Sequence, residues 1–286
     1  MDKSNFESIS TNAQLVSKFR FKTGIFPSEM AYLLAAIESQ NCTDVIDSGR
    51  GPDAFSAIVL NEFLCNNPKI RSVYSIDYAK FIRMKFYTEN VFSKNTKFLI
   101  GNSFDVIPSL YRKGVSSNLA IIIDGPKHKD QILLALLVIR HIRPRVLALH
   151  NSPPESFQSA VLNPTNLGQY YENFNFTSES FSKLLKIDVT DSRRTLDQSS
   201  LLLFINPDFP RNIPFRINLQ LAVLSPLWYL KINVPYFNQV YKLIVYVPRK
   251  VLYKAMSTKV PAVNYFRKIR KRLILLFYPL YKLVTR

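Results

Sequence analysis

The run Asp47-Ser48-Gly49-Arg50-Gly51 couples a carboxylate to two glycines one residue apart, and an apolar stretch leads into it. Glycine is sparse here, 7 in 286 residues, so two within three positions carry information. Glycine lets a backbone turn sharply and lets a ligand press against it. A helix that begins just after such a loop offers free N–H groups and a positive dipole end. A turn that merely needs small residues would use the same pattern, so the loop alone decides nothing. Further groups follow at intervals. Asp77, with Tyr78 beside it, closes a second apolar run. A deprotonated carboxylate only accepts hydrogen bonds and suits the two hydroxyls of a ribose. Asn102 and Ser103 follow a third run and suit an adenine edge. Asp124, Lys127 and His128 follow a fourth, and His150 a fifth. Imidazole titrates near neutral pH, so His128 and His150 stand with Asp124 as candidate catalytic groups. Exposed loop histidines would read the same way. His141, at the end of a helical stretch before Arg-Pro-Arg, reads as structural.

These groups work together only if the chain brings them to one edge. Residues 43–47, 70–77, 96–101, 119–124 and 145–150 read as short buried strands. Residues 27–40, 52–64, 79–91, 103–114 and 129–142 read as helices, the first opened by Pro27 with Glu29 in its first turn. Strands alternating with helices over short connections predict an α/β protein with a doubly wound, mostly parallel sheet. In such a sheet ligands bind beyond the carboxyl ends of the strands, which is where every candidate group falls. Residues 185–192 and 201–206 read as two further strands at an antiparallel edge. The expected organisation is a weakly structured lead-in at 1–27, a cofactor-binding domain at 28–206 and a basic, aromatic, mainly helical extension at 207–286.

The net charge is +18, and Asp208 is the last acidic residue. A basic segment of this kind points to an anionic surface, whether lipid, nucleic acid or glycan. Phe266, Ile269, Leu273, Leu276, Leu280 and Leu283 recur at three-and-four spacing, while Arg267, Lys268, Arg270, Lys271 and Arg272 fall largely on the other side. That pattern over 237–286 predicts an in-plane anchor on an anionic membrane surface. A helical subdomain packed on the core or on a second subunit is the competing reading. The tail is too apolar for a nucleic-acid groove binder. Two cysteines without a C-x-x-C pair argue against a disulfide framework and for a cytoplasmic protein, which the basic tail would attract to a membrane. The N-terminus has no apolar signal region, and residues 217–230 are too short to span a bilayer.

With these residues in view, the sequence resembles the class I S-adenosylmethionine-dependent methyltransferases over roughly residues 28–206, most strongly 43–151. Asp47-Ser48-Gly49-Arg50-Gly51 is similar to that family's D-x-G-x-G motif. "GNSFDVIPSL" (101–110) is similar to the G-D-(S/A)-x-x-x-(I/L)-P segment of small-molecule O-methyltransferases, and "IIIDGPKHK" (121–129) to their I-D-(A/G)-x-(K/H) strand end. The resemblance implies a Rossmann-like fold and S-adenosyl-L-methionine as cofactor. It further implies that Asp47, Gly49, Arg50 and Gly51 hold the methionine part, Asp77 and Tyr78 the ribose, and Asn102 and Ser103 the adenine. Asp53 stands where a third glycine is common, Asn102 replaces the usual acid, and Arg143–Val146 replaces the usual Pro-Gly-Gly. Metal-dependent relatives place Asp at the fourth strand end and Asp-Asn at the fifth. Here Asp124 and Asn151 match but His150 replaces the middle carboxylate. That set suits Mg²⁺ poorly, so no metal is expected. The expected function is methyl transfer to an oxygen or nitrogen of a small-molecule, sugar or lipid-linked acceptor. The alternatives are a non-catalytic binding or scaffold protein on the same fold, or a nicotinamide dehydrogenase. The last draws on Gly49, Gly51 and Ala54 as G-x-G-x-x-A, with Asp77 as the ribose acid.

Overall fold

A computed structural model describes residues 3–19, 25, 27–49, 51, 54–78, 92–150, 161–162, 201–210, 213–234 and 237. The expected strands and helices at 79–91 and 185–192, and the basic stretch 238–286, lie outside the described residues.

Six strands form one sheet: β1 (Asp44–Ser48), β2 (Ser72–Asp77), β3 (Thr96–Ile100), β4 (Leu119–Ile123), β5 (Val146–Leu149) and β6 (Leu202–Ile205). Their spatial order is β3-β2-β1-β4-β5-β6. The first five pair in parallel, and β6 runs antiparallel against β5, with Leu149 opposite Leu202. This is an α/β fold with a mostly parallel sheet. Burial explains which strand sits where. β4, Leu-Ala-Ile-Ile-Ile, and β5, Val-Leu-Ala-Leu, are buried at every position, as interior strands of a covered parallel sheet must be. At the opposite side β3 exposes Lys97, whose ammonium lies 5.1 Å from the centre of the Tyr74 ring on the neighbouring strand. A lysine there discourages pairing with another chain.

Among the described residues the helices are α1 (Lys3–Val16), α2 (Pro27–Ser39), α3 (Phe55–Asn66), α4 (Ser103–Arg112), α5 (His128–His141) and α6 (Phe215–Asn233). Met30–Ile37 of α2 are all buried, and the helix packs on α1 and on β5. The weakly structured lead-in expected at the N-terminus is instead helix α1. Ala13 and Val16 are fully buried, and Ser8 donates a 2.5 Å hydrogen bond to Glu38 of α2. Ser, Thr and Asn give α1 little intrinsic helicity, so its packing on α2 holds it. Helix α3 starts at Phe55, later than the sequence suggested, because Ala54 is left-handed at φ 46°.

The chain divides into two units, 1–213 and 214–286. The first holds the sheet. Of the second, α6 is described. Among the described residues no helix is long and apolar enough to cross a membrane.

Candidate functional site

The strand order places β1 and β4 side by side at the sheet's centre, although β2 and β3 intervene in sequence. From β1 the chain runs outward to β3, then returns to β4 and proceeds the other way. At such a reversal the loops leaving neighbouring strands diverge and open a crevice beyond their carboxyl ends. The loops after β1 and β4 meet there. The Ser48 carbonyl accepts from the N–H groups of Asp124, at 2.7 Å, and Gly125, at 2.9 Å. The Ser48 hydroxyl contacts the Gly125 carbonyl and lies 2.6 Å from the Ser103 hydroxyl.

The two glycines of the first loop have different reasons to be glycine. Gly49 is left-handed, φ +95°, and a Cβ on it would come within 2.3 Å of the Gly125 nitrogen. The backbone of the loop after β4 therefore demands glycine at 49. Gly51 is also left-handed, φ +68°, but among the described residues nothing lies within 4 Å of where its Cβ would point. Its N–H donates to Asp77 Oδ2 at 3.0 Å, tying the loop to the end of β2. Asp47 is fully buried, and its Oδ2 accepts from Ser56, at 2.9 Å, and Ser75, at 3.2 Å. This carboxylate fastens β1 to β2 and α3. Arg50 lies outside the described residues.

Next to Asp77, Tyr78 is 71% exposed, and Ile100, paired with Asp77 in the β2–β3 register, is 56% exposed. Two apolar side chains thus flank the acid at the ends of adjacent strands. Asn102 caps α4 by accepting from the Phe104 N–H at 3.0 Å, and Ser103 is buried against Ser48. Both residues stand at the strand ends as the sequence suggested. Asn102 thus serves the start of α4, whereas Ser103 ties that helix to the end of β1.

Asp124 and His150 meet at the ends of β4 and β5. His150 Nδ1 lies 2.8 Å from Asp124 Oδ1, and the Lys127 ammonium contacts the same oxygen. Gln131 of α5 fixes this corner by donating to the Ile123 and His150 carbonyls, each at 2.7 Å. Burial pushes the Asp124 carboxyl up, but His150 and Lys127 outweigh it and hold the carboxyl below its ordinary 3.8. His150 is only 3% exposed, so it acts on anything outside through Asp124. On its other side Nε2 lies 3.8 Å from Glu29 Oε2, a carboxylate 2% exposed in the first turn of α2. Sequence reasoning read Glu29 only as a helix-start acid and passed over Ile100. His128 starts α5 with φ +55° and points to solvent. His141 is partly buried, and burial together with Arg140 lowers its basicity.

Asn151 lies outside the described residues. Among the described residues no group of three or more His, Cys, Asp or Glu side chains has a geometry that could hold a metal ion. No family model matches the sequence, and no curated protein matches it significantly.

Proposed function

We propose that the chain is an S-adenosylmethionine-dependent methyltransferase on a Rossmann-like fold, acting on an oxygen or nitrogen of a small-molecule, sugar or lipid-linked acceptor. The observation that carries this reading is the Gly51–Asp77 pairing across the carboxyl ends of β1 and β2. It joins a backbone turn, with no described residue within 4 Å on its side-chain side, to a carboxylate beside the reversal of the sheet order. The fit to the cofactor is chemical. Gly51 leaves room for a chain to lie along its backbone, Asp77 suits ribose hydroxyls, and Tyr78 with Ile100 offer apolar surface to a planar base.

When bound, S-adenosylmethionine supplies an activated methyl group. The protein's part is to hold the acceptor in line and receive its proton. Asp124 is the group for that task. Its side chain is 15% exposed, and its lowered pKa keeps it anionic at neutral pH. So low a pKa makes it a weak base, so it first orients the acceptor's O–H or N–H. Asp124 would take that proton as the acceptor's acidity rises during methylation, with the methyl–sulfur bond of the bound cofactor breaking and its electron pair staying on sulfur. His150 and Lys127 position Asp124 and stabilise its charge.

Titration calorimetry tests the reading. S-adenosylhomocysteine is expected to bind one site per chain and NAD to give no saturable heat. NAD binding without S-adenosylhomocysteine binding would establish the dehydrogenase alternative. Tight S-adenosylhomocysteine binding with no methyl transfer to any oxygen or nitrogen acceptor would favour the non-catalytic one.

A further inference from the structure

Helix α6 buries one side, where Ile217, Leu221 and Trp228 stand among Gln220, Ser225 and Lys231. On the other, Phe215, Leu219, Ala222, Pro226 and Tyr229 are exposed, at steps of four, three, four and three. Residues so spaced lie along one line of a helix. Phe215 is 81% exposed and Tyr229 57%. The helix carries two charged side chains, Arg216 and Lys231, and Lys231 is buried. Neither falls within the exposed line, which therefore offers water a continuous apolar stripe. Such a stripe on a surface helix calls for a partner.

We propose that this face docks on an anionic lipid bilayer, with α6 lying in the membrane plane. Charge selects the occupant. After Asp208 the chain contains no acidic residue, while Lys and Arg recur through Arg286. The apolar line is thus embedded in a sequence of one sign, the combination by which in-plane helices bind anionic surfaces. A second copy is disfavoured as occupant because each chain carries +18. Spanning is disfavoured because α6 is not long and apolar enough to cross. The inference does not depend on the methyltransferase reading.

The test uses the full chain with vesicles of phosphatidylcholine alone or mixed equally with phosphatidylglycerol, separated by sedimentation. The triple variant Phe215→Ser/Leu219→Ser/Tyr229→Ser removes the stripe, and Phe215→Ser alone is the milder probe. Trp228 is the chain's single tryptophan and is buried on the opposite face, so unchanged emission shows that α6 keeps its packing, and unchanged circular dichroism that the rest of the fold is intact. The wild type should sediment with the mixed vesicles and much less with the neutral ones. The triple variant should partition on the order of 10- to 100-fold more weakly, and Phe215→Ser should fall between. Equal binding of wild type and triple variant would overturn the proposal and leave any attraction to charge alone. So would a wild type that ignores anionic vesicles, or one that is dimeric in solution and becomes monomeric in the triple variant.

Discussion

His150 stands between two carboxylates, its Nδ1 2.8 Å from Asp124 Oδ1 and its Nε2 3.8 Å from Glu29 Oε2. The imidazole is 3% exposed and Glu29 2%, so water screens little of this interaction. Removing the ring would leave a buried carboxylate without its neighbouring imidazole and open a void between Glu29 and Asp124. His150→Ala should destabilise the fold by about 2–4 kcal/mol, within the range for breaking a buried hydrogen-bonded network. Urea unfolding measures this, and a loss under 1 kcal/mol would show that the ring is not tightly integrated.

The Glu29 contact is longer than a hydrogen bond, so its weight has to be measured by coupling. A double-mutant cycle of Glu29→Gln and His150→Gln should give an interaction of about 0.5–3 kcal/mol. Strictly additive losses would mean the two side chains are neighbours without being energetic partners.

Asp124 makes a pH prediction. Its folded pKa lies below the ordinary 3.8, so the folded state binds its proton less readily than the unfolded chain. The stabilisation is therefore complete above the unfolded value and is lost as pH falls below 3.8 toward the folded one. Asp124→Asn should lower stability at pH 7, and the gap to wild type should narrow in acid. A gap of constant size from pH 7 down to pH 3, on the scale of these ordinary carboxylate values, would contradict the assignment.

The two loop glycines should separate cleanly. Gly49→Ala would drive a methyl group into the Gly125 backbone, at a left-handed position, and should cost at least about 3 kcal/mol. Gly51→Ala meets nothing among the described residues and should cost only about 1 kcal/mol of backbone strain. Chemical denaturation of both variants checks the order, and equal losses would contradict the geometry.

Thiol reactivity probes the core. Cys42 is buried and burial pushes its thiol up to about 12, against the pull of Arg145, whereas Cys65 is exposed. Iodoacetamide should modify Cys65 alone in the native protein and both thiols in denaturant. Native modification of Cys42 would show that α2 and β1 open readily.

Much of this arrangement was legible before any coordinates. The strands announce themselves because each is a short apolar run ending on a polar residue, as in Leu119–Ile123 followed by Asp124. Of the two strands expected at an antiparallel edge, 201–206 forms β6 against β5, and 185–192 lies outside the described residues. What escaped depends on tertiary neighbours. Helix α1 has too few apolar residues to betray itself and is held by α2. Glu29 has the pattern of a helix-start acid, and only the packing of α2 on β5 brings it to His150. The D-x-G-x-G pattern treats its glycines alike, whereas Gly49 answers to the loop after β4 and Gly51 meets no described neighbour on its side-chain side. His128 and His150 looked equivalent, and the fold exposes one and buries the other.

The central claim is that the β1 loop and Asp77 together hold an adenosyl cofactor. The most direct measurement is the calorimetric affinity for S-adenosylhomocysteine of the wild type, Asp77→Ala and Gly51→Val, with each fold verified by circular dichroism. Loss of a charged hydrogen-bonding partner should weaken binding in Asp77→Ala by about 1.5–3 kcal/mol. Gly51→Val should bind more weakly still, because a β-branched side chain fills the space proposed for the cofactor and resists the left-handed turn. Unchanged affinity in both folded variants, or no binding by the wild type, would contradict the account.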